Sequence, residues 1–100
     1  MSKLRAFTAE GVRGWSFWCP GCQDRHAVTY EGPHPVWQWN RSEEKPTFHP
    51  SLVVQYIGVD VKLVALCHSW VREGLIQFLP DCTHALAGQT VDLPEWPEEA

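Results

Sequence analysis

The chain has 100 residues, 44% of them hydrophobic and 20% charged, and its 8 Lys and Arg stand against 12 Asp and Glu for a formal charge of −4. That length specifies one small domain and excludes large two-layer catalytic architectures, while the apolar fraction excludes a disordered polymer. No apolar run approaches the ~20 residues that span a bilayer, and the acidic balance excludes a generic phosphate-backbone binder, so neither membrane nor nucleic acid is an expected partner.

Met1-Ser2-Lys3-Leu4-Arg5-Ala6 carries charge but leads into no apolar segment, so nothing marks the chain for secretion and the expectation is cytoplasmic. Strand-like stretches between turn signals then follow one another at 4–8, 14–19, 26–30, 36–39, 51–57, 61–68 and 75–79, with almost no helical period. Trp15 and Phe17 alternate, as do Trp37 and Trp39, which places each pair on one strand face as core or as an aromatic wall. His34, between two prolines, reads as a plain loop residue. Glu73-Gly74 separates two apolar runs as a two-residue hairpin turn. That register sets Arg72 against Leu75, His68 against Leu79 and Ala65 against Cys82. Cys67 and Cys82 then share one face, and His68 and Asp81 the other. Thr83 to Gly88 suits one helical turn, with Thr83 as N-cap and Gly88 as the stop. The prediction is therefore a mainly β, antiparallel domain over residues 1–92. An extended acidic tail over 93–100 follows it, with Trp96 as an anchor.

The strongest chemical signal is Cys19-Pro20-Gly21-Cys22, a Cys-x2-Cys turn that presents two thiolates to one tetrahedral ion. Redox sites share this spacing, but they draw on a helix that follows, and here the motif ends a strand. In a reducing compartment four cysteines read as metal ligands rather than disulfides. Zinc needs two more ligands, and the hairpin supplies Cys67 and Cys82, with His26 or His84 as the alternative fourth ligand. A metal site absent from the unfolded chain contributes its binding free energy to folding.

A second constellation is polar. His49 and Ser51 stand at i and i+2 on one strand face, which can meet His68 with Asp81 behind it: a serine, a base and a carboxylate, the parts of an activated nucleophile. The competing readings are histidines and serines that are solvated or cap turns, and a metal held with an open water position by several of His26, His49, His68 and His84. The expectation is that His49, Ser51, His68 and His84 converge on one cleft walled by Trp37 or Trp39.

The runs Phe17-Trp18-Cys19-Pro20-Gly21-Cys22, Trp37-Gln38-Trp39-Asn40, Pro46-Thr47-Phe48-His49-Pro50-Ser51 and Cys67-His68, with Asp81-Cys82-Thr83-His84-Ala85-Leu86-Ala87-Gly88, resemble a family of small phage and prophage proteins of unknown function. Its members often carry the mislabel "ammonia monooxygenase", which a chain without copper ligands for a membrane oxidase does not support. The resemblance runs over about residues 15–94. That family is distantly similar to a protein of bacterial ubiquitination-like operons, for which a protease role on ubiquitin-like proteins is suggested. Pro50-Ser51 and Cys67-His68 match its motifs.

Two functions follow as expectations. One is a phage-type zinc domain in the host cytoplasm whose His/Trp cleft binds a small ligand or a host protein, with counter-defence as a role and self-association left open. The other is a hydrolase of peptide or ester bonds with Ser51 as nucleophile, His68 as base and Asp81 behind it.

Overall fold

In the computed structural model, residues 2–33 and 36–97 are described. His34, together with Glu98 and Glu99 of the tail, lies outside the described residues. The molecule is all β among those residues: β1 (Leu4–Ala9), β2 (Val12–Cys19), β3 (Asp24–Glu31), β4 (Gln38–Trp39), β5 (Phe48–Ile57), β6 (Leu63–Arg72), β7 (Leu75–Phe78) and β8 (Thr90–Asp92). They form two antiparallel sheets, in the orders β1-β2-β3 and β4-β5-β6-β7-β8.

Alternation decides which side chains enter the core. On β7, Ile76 and Phe78 are buried while Leu75 and Gln77 face out. On β6, Cys67, Ser69 and Val71 are buried and His68 lies on the other face. Leu4, Phe17, Cys19 and Val28 of the first sheet meet Phe48, Leu52, Cys67 and Val71 of the second in one cluster. Phe17 stacks on Phe48 at 6.3 Å.

The Glu73-Gly74 turn forms as expected, with Arg72 opposite Leu75. Both turn residues take positive φ, 49° and 78°. That is the backbone of a type I′ turn, whose twist matches the flanking strands. The expected register holds as far as Leu79, whose N–H donates to the His68 carbonyl at 2.9 Å. It then slips. Pro80 has no N–H to give, a turn closes through Cys82 N–H to the Leu79 carbonyl, and Thr83 N–H, not that of Asp81, reaches the next free carbonyl, Leu66. Cys82 is therefore not opposite Ala65; it lies beside the His68 backbone.

Other boundaries moved. β4 has two residues rather than four, β5 begins at Phe48, and Val61 belongs to the turn before β6, at φ 64°. β8 arises between the expected turn and the expected tail, where no strand was assigned and three residues pair with β7. Residues 83–88 form successive turns, including Ala87 N–H to the His84 carbonyl, without an α-helix. The segment after β8 is pinned. Leu93 is buried, and Trp96 lies 6.0 Å from the Trp18 ring with Arg5 over its face.

Candidate functional site

Two groups of side chains meet at β6, one on each of its faces. On the core side, the Cys19-Pro20-Gly21-Cys22 turn is held by Gln23 N–H donating to the Cys19 carbonyl and by Cys22 N–H pointing at the Cys19 sulfur at 3.4 Å. β3 returns His26 opposite Phe17, and β6 supplies Cys67. The ligand atoms of Cys19, Cys22, His26 and Cys67 lie within 4.8 Å of one another, and the sulfurs of Cys19 and Cys67 are 3.9 Å apart. Ligands of one tetrahedral zinc, each about 2.3 Å from it, stand about 4 Å apart. The set could hold a metal ion.

The two candidate imidazoles differ in tautomer. His26 Nδ1 faces the Arg25 carbonyl at 3.0 Å, and a carbonyl only accepts. The ring proton is therefore on Nδ1, and the lone pair is on Nε2, which is buried without a hydrogen-bond partner. A ligating histidine is commonly oriented by such a bond from its other nitrogen. In His84, Nδ1 accepts Leu86 N–H at 3.2 Å, so the neutral ring carries its proton on Nε2. His84 packs on Phe78 and over Gly21, where any Cβ would collide with the ring.

Cys82 is not gathered with Cys19 and Cys22; its sulfur groups with Cys67 and His84. The two-residue slip after Pro80 explains the displacement from the expected four-cysteine set. There the Cys82 sulfur accepts His68 N–H and donates to the His68 carbonyl, both at 3.2 Å. In the first group Cys19 is pulled down to about 4, chiefly by the Cys67 thiol and also by His26, against the effect of burial. Burial and the neighbouring Cys19 push Cys22 up to about 11. Cys67 is raised by its bond to Cys19 and by burial.

On the outer face, Ser51 Oγ is 3.2 Å from His68 Nε2, and His68 Nδ1 is 3.2 Å from Asp81 Oδ2. Asp81 only accepts when ionised, so Nδ1–H donates to it and Nε2 is left to accept the serine proton. Ser51 and His68 come from neighbouring strands, and Asp81 from the turn that also displaces Cys82. Chemically this is a hydroxyl against a base whose tautomer is fixed by a carboxylate.

The rest of the expected cleft is dispersed, and no pocket opens among the described residues. His49 stacks on Trp70 at 5.7 Å. His84 lies with the cysteines. Trp39 joins Trp15 and Tyr30 at 5.0 and 5.2 Å, and the Trp37 indole N–H is buried. Aromatic side chains here serve packing between the sheets. Three contributors escaped the sequence reading. Trp70 flanks His49, Thr83 Oγ1 accepts Leu66 N–H, and the Tyr56 hydroxyl donates to Asp24. Extending the β5–β6 pairing by alternation would have placed Trp70 on the face of His68.

The fold and site define an all-β protein with a thiol–imidazole cluster in its core and a Ser–His–Asp relay on an open sheet. The chain belongs to the BubE family, the bacterial ubiquitination-like system serine protease, whose family model matches residues 3–79. The match includes Cys19, Cys22, His26, Ser51, Cys67 and His68, and ends before Asp81. Comparison with curated proteins and with solved structures finds no match.

Proposed function

We propose that this chain is a serine protease of a ubiquitination-like system, with Ser51 as nucleophile, His68 as general base and then acid, and Asp81 as the group that holds the imidazole. The observation that carries the reading is the continuous contact from Ser51 Oγ through His68 to Asp81, each step 3.2 Å. The family to which the chain belongs supports it.

In the first step Ser51 Oγ attacks a substrate carbonyl carbon while His68 Nε2 takes its proton. The imidazolium then gives that proton to the departing amine, leaving an acyl-Ser51 ester. Water attacks the ester, losing a proton to Nε2, and the acid and Ser51 are released. Asp81 keeps Nδ1 protonated and stabilises the imidazolium, without being protonated itself.

Cys19, Cys22, His26 and Cys67 hold zinc in this reading. The three-sulfur, one-nitrogen donor set, the 3.9 Å sulfur spacing and the unpartnered lone pair of His26 support the assignment. Bound zinc supplies folding free energy to a small core and takes no part in the reaction. A phage-type module with a His/Trp cleft has no such support, because its three histidines, His49, His68 and His84, do not share a cleft with Trp37 or Trp39.

A fluorophosphonate, whose phosphorus is attacked by activated serines to give a phosphonyl-serine with loss of fluoride, tests the reading without a known substrate. Wild type should be labelled on Ser51, and His68→Ala should react at least about a hundredfold more slowly. Labelling of wild type at no faster a rate than His68→Ala would overturn the protease reading.

A further inference from the structure

The nucleophile sits where the sheet loses a neighbour. β4 pairs with β5 only through Gln38 and Trp39, opposite His49 and Phe48. From Ser51 onward, among the described residues, β5 is paired on its β6 side alone.

Which groups face the open side follows from β6. The N–H of His68 goes to Cys82 Sγ and its carbonyl to Leu79 N–H. Leu66 likewise spends both groups on Thr83. Both residues therefore turn their backbone away from β5. In an antiparallel ladder alternate residues bond to opposite sides, so Cys67 and Ser69 bond to β5 at Val54 and Leu52. Val53 and Gln55, opposite His68 and Leu66, then point their N–H and carbonyl groups outward. Among the described residues no backbone bond reaches them.

A bare edge is a template for another strand, and proteins usually blunt it with charge, proline or cover. Here the two residues are Val and Gln. Val53 is 56% exposed, and Ile57 and Val64 nearby are 53% and 64% exposed. Val53 lies two residues, about 7 Å, from Ser51, with its side chain on the same face. What Val53 and Gln55 offer on this side is a row of main-chain donors and acceptors, which an extended backbone matches.

We propose that the substrate is an unstructured segment of a protein that adds as an extended strand to the free edge of β5, bonding Val53 and Gln55 through its main chain and so carrying its scissile carbonyl to Ser51. Main-chain bonds supply affinity in this mode, and alternate side chains supply selectivity against Val53 and its apolar neighbours. The proposal rests on the protease reading of Ser51.

The test is Val53→Pro. Proline deletes one N–H that faces solvent and leaves the β5–β6 bonds, as edge strands tolerate. Its control is Val53→Ala, which trims the side chain and keeps the N–H. The probe is a synthetic pool of acetylated, amidated octapeptides of randomised sequence, with cleavage followed by mass spectrometry. Val53→Pro should cleave at least about tenfold more slowly than Val53→Ala, which keeps the N–H, while both are still labelled on Ser51 by the fluorophosphonate. Equal cleavage by Val53→Pro and Val53→Ala overturns the proposal and leaves the protease reading standing. If wild type takes no fluorophosphonate label, the protease reading falls by itself. A second measurement covers a Val53→Pro protein that does not fold: addition of the pool to 15N-labelled Ser51→Ala should shift the Val53 and Gln55 amide signals more than those of Val54 and Tyr56. The reverse pattern, or no shift, overturns the proposal.

Discussion

Cys67 and His68 are consecutive on β6 and serve opposite faces of it. The Cys67 sulfur lies 3.9 Å from that of Cys19 in the core, and His68 Nε2 lies 3.2 Å from Ser51 Oγ on the outer face. One peptide bond thus joins the thiol–imidazole cluster to the base of the relay. Cys82 adds a second tie, because its sulfur brackets the His68 backbone while the preceding residue, Asp81, holds the ring. Order in the thiol–imidazole cluster is thereby passed to the His68 ring through the backbone of β6.

Metal content should separate the four cysteines. Purified protein is expected to hold one zinc per chain by elemental analysis. Cys19→Ser and Cys67→Ser should lose it and unfold, because binding worth on the order of 10 kcal/mol in small zinc domains is as large as the whole stability of such a chain. Cys82→Ser should keep a full equivalent of zinc. Loss of metal in Cys82→Ser, with His26→Ala still loaded, would move the fourth ligand from His26 to Cys82.

Proton release offers an independent check of the ligand set. Ligating thiols must be deprotonated. Cys19 is already held low, whereas Cys22 and Cys67 are raised and carry protons at neutral pH in the metal-free fold. Zinc uptake near pH 7 should therefore release about two protons, and affinity should weaken as pH falls. Calorimetry in buffers of different ionisation enthalpy gives the number. A count near zero would show that Cys22 and Cys67 are not both ligands.

Substitutions in the relay should remove activity and leave the fold. Ser51→Ala and His68→Ala are expected to lower hydrolysis by about 10⁴-fold or more, because nucleophile and base act as a unit. Asp81→Asn should cost less, about 10²–10⁴-fold, since the carboxylate orients and stabilises rather than reacts. Asp81 is also half exposed, at 51%, so water shares its role. Melting temperatures of Ser51→Ala and Asp81→Asn should stay within about 3 °C of wild type, since neither side chain belongs to the core. A relay variant that is as active as wild type removes that residue from the mechanism.

The β architecture was legible because alternation is a local signal: Ile76 and Phe78 turn inward and Leu75 and Gln77 outward as their order dictates. The contact of Ser51 with His68 follows from strand faces, whereas Asp81 reaches His68 from the turn after Pro80 rather than through a continued hairpin register. What failed was long-range. The slip after Pro80 shifts Cys82 by two residues; the proline marks where the ladder can be disturbed, but not which way the chain then turns. The tryptophans were ambiguous for a related reason. A Trp pair on one strand face reads alike whether that face meets the other sheet or a ligand, and here Trp39 meets Trp15 and Tyr30. β8 was missed because Thr90-Val91-Asp92 is too short to show a period, and it exists through pairing with β7.

The turn that sets the hairpin carries a residue that suits it poorly. Glu73 sits at φ 49°, in the left-handed region where a β-carbon crowds the following carbonyl, and only the adjoining Gly74 is spared that cost. Its backbone N–H is held by Thr47 Oγ1 at 2.8 Å, and its side chain is exposed, so replacing it disturbs no packing. Asparagine adopts this conformation readily and is favoured before glycine in type I′ turns. Glu73→Asn should therefore stabilise the protein by up to about 1 kcal/mol by relieving the left-handed strain. For a domain of this size, the full 1 kcal/mol is a rise of about 4–8 °C in Tm. Hydrolytic activity should be unchanged, since the turn lies beyond Arg72, at the end of the hairpin away from Ser51. A calorimetric scan that shows Glu73→Asn melting at or below the wild-type temperature would mean that the left-handed backbone at residue 73 is not a cost to this fold.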